Sequence, residues 1–245
     1  MRRGSPFLKL FLLLALSAPL GRSGIEFALR PGESLRYRVY MAGLALGEQR
    51  FLVKSASVRD GRGVLLIEVM LDSYPSFFNL LDYHERRTIW WDDEAGVPLA
   101  EEASISQRRK ITREELSFDH ERGSVTIVRE GEGTRATIHR PIEPGTQTAT
   151  SLLYYFRRFP WERGEFGLSL LGQEGAERYT YEVVEEKAPL RVPLGRFERT
   201  YRLYNRELKY ELWFDRGPGH LPLEIRSRLG FGLAQAKLVE AEGYR

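Results

Sequence analysis

Apolar and polar residues alternate along most of this chain. In "SLRYRVYM", Leu35, Tyr37, Val39 and Met41 face one way and Arg36, Arg38 and Tyr40 the other. "KYELWFD" sets Tyr210, Leu212 and Phe214 against Lys209, Glu211 and Trp213. "LPLEIRSRL" sets Leu221, Leu223, Ile225 and Leu229 against Glu224, Arg226 and Arg228, and "RYTYEVV" alternates through Tyr179, Tyr181 and Val183. Successive strand residues point to opposite faces, so each stretch predicts a strand with one buried and one wet face. Such strands belong to antiparallel sheets, since parallel strands are covered on both sides and read as unbroken apolar runs. Turn signals such as "RPGE" (30–33), "RDGRG" (59–63), "DDEAGVP" (92–98), "DHERG" (119–123), "EGEG" (130–133) and "DRGPGH" (215–220) punctuate them. The spacing predicts roughly ten to thirteen strands. Helices at βαβ spacing are missing, which argues against a doubly wound or barrel α/β fold.

Two stretches break the alternation. In "SYPSFFNLLDYHE" (73–85), Pro75 can open a helical turn, with Phe77, Leu80 and Leu81 at helical spacing. In "TSLLYYFRRFPWERGEF" (150–166), Leu152, Tyr155, Phe156 and Phe159 fall on one helical stripe, with Tyr154, Arg157 and Arg158 on the other side. Thr148 or Thr150 can cap its start, and Pro160 ends it because the residue before a proline avoids helical geometry. The apolar stripe needs a partner, and the sheet is the only apolar surface on offer.

The N-terminus bears on compartment and charge. "MRRGSPFLKLFLLLALSAPLGRSG" has a basic start, an apolar run from Leu10 to Leu16 and a small-residue zone, the pattern of a signal peptide over residues 1–23. The stretch is too short to span a bilayer comfortably, and no other segment is long and apolar enough to try. Residues 24–245 are then expected to form a single β-rich domain, periplasmic or secreted, with no transmembrane segment. Cysteine is absent, so there is no lipid-modifiable cysteine, disulfide framework or thiolate chemistry. The net charge of +3 is a property of the leader: without residues 1–23, 33 basic face 34 acidic residues, net −1. That removes the footing for nucleic acid as a partner.

Several blocks, in order, resemble a bacterial exported family known as domain of unknown function 3108. They are "PGESLRYRVYMAGLALGEQRF", "FFNLLDYHERRTIWWDDEAGVPLAEEASISQ", "ELSFDHERGSV", "TATSLLYYFRRFPWERGEF" and "ELWFDRGPGHLPLEIRSRLGFG". The likeness extends over about residues 31–242. It implies a curved antiparallel sheet or half-barrel, like that of bacterial lipoprotein carriers, with one or two short helices on the concave face. The family pattern leads to the expectation of an acid just before the central helix, where this chain has Thr148.

Catalytic patterns mostly fail. His84-Glu85 and His120-Glu121 each begin a zincin motif, but the second histidine is replaced by Thr88 and Ser124. The four histidines, at 84, 120, 139 and 220, read as strand-end or turn residues. "GLSLLG" (167–172) lacks the second glycine of a nucleophile elbow and reads as a strand. The acid pairs Asp92-Asp93 and Glu101-Glu102 read as solvated charge. No cofactor or metal is indicated, and a site assembled from distant residues would be recognised by geometry alone.

The remaining candidate is a surface. Tyr154, Tyr155, Phe156, Arg157, Arg158 and Trp161, with Phe77, Phe78 and Tyr83, are the candidate ligand-binding residues. In one reading the helix lies over an apolar cavity with its arginines at the mouth, facing an anionic head group. In the other it plugs the core and Arg157 and Arg158 are solvated. The expected function is a non-catalytic envelope protein that binds or carries an amphipathic or hydrophobic molecule such as a lipid or glycolipid. The alternatives are an envelope hydrolase or transferase, and a structural partner of another envelope protein.

Overall fold

The structure is a computed structural model that describes residues 15–16, 29–59, 61–75, 82–108, 110–158, 161, 164–172, 174–229 and 232–244. The predicted helical turn after Pro75 falls largely on residues 76–81, outside the described residues; Tyr83, His84 and Glu85 belong to a strand.

The strands are β1 (Ala15–Leu16), β2 (Ser34–Met41), β3 (Leu44–Arg59), β4 (Arg62–Ser73), β5 (Tyr83–Asp92), β6 (Val97–Gln107), β7 (Lys110–Asp119), β8 (Ser124–Gly131) and β9 (Thr134–Pro141). A single helix among the described residues, α1 (Leu152–Arg157), precedes β10 (Glu165–Leu171), β11 (Ala176–Glu186), β12 (Leu190–Val192), β13 (Gly195–Phe197), β14 (Thr200–Asn205), β15 (Tyr210–Asp215), β16 (Pro222–Leu229) and β17 (Gly232–Glu242). The count exceeds the expected ten to thirteen in part because β1, β12 and β13 are too short to show alternation.

β2 to β9 form one antiparallel meander, and β10, β11 and β14 to β17 form a second. β17 lies against β2, so both meanders belong to one fifteen-stranded sheet with β9 near one edge and β10 near the other. Turns at Ala42–Gly43 and Glu132–Gly133 hold both residues at positive φ, the mirror-image geometry whose twist matches paired strands. Register shifts at Val39/Tyr40, Val53/Ser55, Trp90/Trp91, Trp213/Phe214 and Leu238/Glu240 add local bend, which a sheet this wide needs in order to curl. The residues after β9 then bring the two edges together. Ile142 N donates to Gly123 O at 2.9 Å, Gln147 N to Ser169 O at 2.8 Å, and Leu171 N to Gln147 O at 2.8 Å. The result is an open, curved sheet that almost meets itself.

One face of every long strand turns inward. Leu35 and Tyr37 of β2, Phe51 and Val53 of β3, Leu65, Ile67 and Val69 of β4, and Ile89 and Trp91 of β5 share the main core. Leu203, Leu212, Phe214, Leu223 and Leu238 face them from the second meander. A smaller cluster of Leu116, Phe118, Val125, Ile127, Ile142 and Leu171 closes the seam. The alternation has one informative failure: Trp213, on the wet parity of β15, is buried beneath the Arg226 guanidinium, 4.2 Å from its ring centre.

Candidate functional site

The turn before α1 is built from side chains. Thr148 N donates to Ser151 Oγ at 2.9 Å, Ser151 N donates to Thr148 Oγ at 3.1 Å, and Ser151 Oγ donates to Gln147 Oε1 at 2.9 Å. All six residues of α1 are buried. Tyr154 meets Phe51 at 6.3 Å, while Phe156 meets Phe166, Tyr181 and Phe214 at 6.0, 5.3 and 6.3 Å, all edge-on. Trp161 stacks on Tyr201 at 4.9 Å and leans on Phe214 at 4.8 Å. The helix is a plug inside the curved sheet, with no wet side.

Arg157 departs from both sequence-based readings. It is neither solvated nor at a mouth: it is 1% exposed. Its Nη1 and Nη2 donate to the two Glu33 carboxylate oxygens, the second at 2.9 Å, and its Nε donates to Gly219 O at 3.2 Å. Tyr244 covers the guanidinium, its ring centre 5.5 Å away. Arg158 lies at the rim, 3.2 Å from Asp93. Of the nine candidate residues, α1 and Trp161 therefore bring five together in the core. Tyr83 is elsewhere, and Phe77 and Phe78 lie outside the described residues.

Tyr83 belongs to a second constellation on the inner face. In β5, Trp91, Ile89, Arg87 and Glu85 share one face, and the register sets Ile89 opposite Glu101, and Arg87 opposite Ala103. Glu101 is in turn opposite Leu116, and Ala103 opposite Glu114, which neighbours Arg129 of β8. Arg87 collects three carboxylates: Nη1 donates to Glu101 Oε2 at 2.8 Å, Nε donates to Glu85 Oε1 at 2.9 Å, and Glu114 lies 4.0 Å away. Arg129 Nε donates to Glu114 at 2.6 Å, and Tyr83 OH donates to Glu85 at 2.7 Å. Thr148 Oγ donates to the other oxygen of Glu101, joining the cluster to the start of the helix turn.

Exposure rises along this cluster away from the plug. The side chain of Glu101 is 0% exposed, Glu85, Arg87 and Glu114 are 10, 11 and 13% exposed, and Arg129 is 39% exposed. Burial pushes the Glu101 carboxyl above its ordinary range, against the pull of Arg87 and the Thr148 hydroxyl. The surrounding carboxylates hold Arg87 firmly charged despite its burial. Burial and Glu85 together push the Tyr83 phenol well up, so it stays a neutral donor. Two further inward groups are unsatisfied among the described residues: the Tyr181 hydroxyl and the Trp91 indole N–H are buried without a hydrogen-bond partner. The arrangement offers fixed donors and acceptors for recognition. The Thr148 hydroxyl already lies between Glu101 and the Ser151 amide, so nothing marks it as a nucleophile.

The reading of Glu101-Glu102 and Asp92-Asp93 as solvated pairs is corrected. Glu101 and Asp92 are 0% and 2% exposed, because they occupy inward or turn-capping positions that their neighbours do not. Asp92 Oδ1 accepts from the Glu94 and Ala95 amides at 2.9 and 2.8 Å. The parity was readable: Glu85 and Arg87 share it with Ile89 and Trp91, Glu101 with Ala103, and Glu114 with Leu116 and Phe118. Charges on an apolar parity were the missed signal.

Comparison with known proteins places the fold. A β-barrel-like protein of domain of unknown function DUF1849 from Brucella abortus is similar with a TM-score of 0.56 at 10% identity, covering 89% of this chain and 100% of that one. A putative exported protein with a YmcC-like fold from Bacteroides fragilis gives a TM-score of 0.32 at 11% identity, covering 87% of this chain and 96% of its own. No curated protein matches the chain. The profile of the family described as "Protein of unknown function (DUF3108)" matches residues 36–239. The chain belongs to that family.

Proposed function

We propose that this is an exported, non-catalytic envelope protein that holds an amphipathic or hydrophobic molecule at the end of the curved sheet away from α1. The observation that carries this reading is the gradient along the inner face. Near α1 that face is apolar and filled. Toward the other end the same face presents Glu85, Arg87 and Glu114 at 10 to 13% exposure and Arg129 at 39%, with Tyr83 half-buried beside them. A head group would bond to this preassembled cluster while its apolar part lies along inward residues such as Ile105. The signal-peptide pattern of residues 1–23, with 24–245 as the mature unit, supports the envelope location.

Native mass spectrometry of gently purified mature protein, followed by solvent extraction, tests this. The expected result is a stoichiometric amphipathic adduct that is retained in Arg158→Gln and lost in Arg87→Met with unchanged circular dichroism. Bare polypeptide mass in every preparation contradicts it. One observation favours docking to another envelope protein instead. Residues 54–59 of β3 are exposed throughout, with Val58 at 78%, because this arm of the β3–β4 hairpin runs past the end of its neighbour β2. Deleting its tip would leave adduct binding intact and abolish such docking.

A further inference from the structure

On the outer face of β4 to β7 lies a groove of about 390 Å³, within the size range of small-molecule sites. Its walls are two rows of side chains running across the strands. One row is acidic: the register aligns Glu68 with Thr88, Thr88 with Glu102, and Glu102 with Glu115. The other is basic over β5 to β7: Arg86 is aligned with Ser104, and Ser104 with Arg113, beyond which lies Glu130, already paired with Arg135. Residues two apart on one strand face are separated by about 6–7 Å, which sets the distance between the rows.

The charges on these walls are incompletely matched. Glu68 pairs with Lys54 at 2.5 Å, and Arg86 pairs with Asp72 at 2.9 Å. Among the described residues, no ion pair engages Glu102, Glu115 or Arg113, and Glu102 and Glu115 are direct cross-strand neighbours. Like charges in that position repel and weaken the sheet. A positive group between them would remove the repulsion, and a negative group one row away would meet Arg113, with Arg86 beside it. The inner-face cluster is on the other side of the sheet, so this groove is separate from the site proposed above.

We propose that the groove binds a small zwitterion, a primary ammonium joined by a short linker to a phosphate. The ammonium seats between Glu102 and Glu115, and its three N–H groups suit two carboxylates. The phosphate lies on Arg113, whose planar fork suits bidentate binding. A phospholipid head group and a free phosphate monoester share this chemistry.

The test is titration of isotope-labelled mature protein with O-phosphoethanolamine, followed by amide shifts, with ethanolamine and inorganic phosphate as single-charge controls. Saturable shifts centred on residues 102, 113 and 115 are expected, with each control about tenfold weaker or worse. Glu102→Gln and Arg113→Gln should each weaken binding roughly fivefold or more. Glu102→Gln should also raise the melting temperature of the unliganded protein by about 1–2 °C, which loss of a merely structural contact would not do. Vesicles carrying the same head group identify the source: sedimentation with them assigns a lipid, and binding of the free compound alone assigns a soluble solute. Inorganic phosphate binding as tightly as the zwitterion, or no saturable shift at millimolar ligand, overturns the proposal.

Discussion

The most constrained single residue is Arg157. A guanidinium removed from water needs its charge and its donors met, and Glu33, Gly219 O and the Tyr244 ring together do so. Breaking the pair from one side leaves a buried charge. Arg157→Met or Glu33→Leu alone should therefore cost about 3–5 kcal/mol, and the double substitution much less than the sum. Urea unfolding of the four proteins in the cycle measures this, and simple additivity would argue against the pair. Histidine gives a pH signature at the same scale. Burial lowers the His120 and His220 pKa values below 6.5, more than their carbonyl contacts with Pro98 and Asp215 raise them. A depressed folded pKa means stability that is present above the unfolded value and lost as pH falls through the folded one. Stability should thus fall on acidification from pH 7 toward 5, and His120→Gln with His220→Gln should flatten that loss. An unchanged slope in the double variant would locate the acid sensitivity elsewhere.

Among the elements, α1 is too short to be stable through its own hydrogen bonds, so its stability must come from packing and from the turn that starts it. Phe156→Ala should cost about 3–5 kcal/mol by emptying a fully buried ring site. Thr148→Val removes a donor to Glu101 and an acceptor for the Ser151 amide, and should cost about 1–3 kcal/mol. Thr148→Asp should cost more than Thr148→Val, because its carboxylate would face that of Glu101. The Glu101 carboxylate already occupies this place from the β6 side. Equal stability of the Val and Asp variants, measured by denaturant unfolding, would remove this explanation.

The strands were legible because a half-buried strand writes its geometry as a period of two, and Leu35 to Met41 or Tyr210 to Phe214 have no competing pattern. The helix was legible from its stripe and Pro160, but its surroundings were not. A wheel assumes one wet side, and Arg157 became a core residue through Glu33, 124 positions away in sequence. The candidate site was half legible. Tyr83 was named, whereas Arg87, Glu85, Glu101 and Glu114 have inward parity that single-residue charge conceals until neighbouring strands are set in register.

The whole molecule is asymmetric along its strands. Alternate connections of a meander fall at opposite ends, so β2–β3, β4–β5, β6–β7 and β8–β9 are joined at one end, and β3–β4, β5–β6 and β7–β8 at the other. Gln147, whose side-chain amide donates to Gly96 O at 3.0 Å, and Arg158, which pairs with Asp93, tie the helix segment to the second end. The open, charged inner face therefore belongs to the first. Gln147→Ala should loosen the seam where β10 meets the segment after β9. Faster amide exchange at Gln147 and Leu171, with the β3–β4 ladder unaffected, would show it; uniform exchange would mean that the seam is held by the Ile142 cluster alone.

The account turns on which end of the curved sheet accepts a ligand. The most direct measurement is paramagnetic broadening of amide resonances by a nitroxide-labelled amphiphile added to the mature protein at substoichiometric concentration. The account predicts selective broadening at Glu85, Arg87, Ala103 and Glu114, with residues 152–157 unaffected. Broadening centred on the helix, or spread evenly over the outer face, would contradict it.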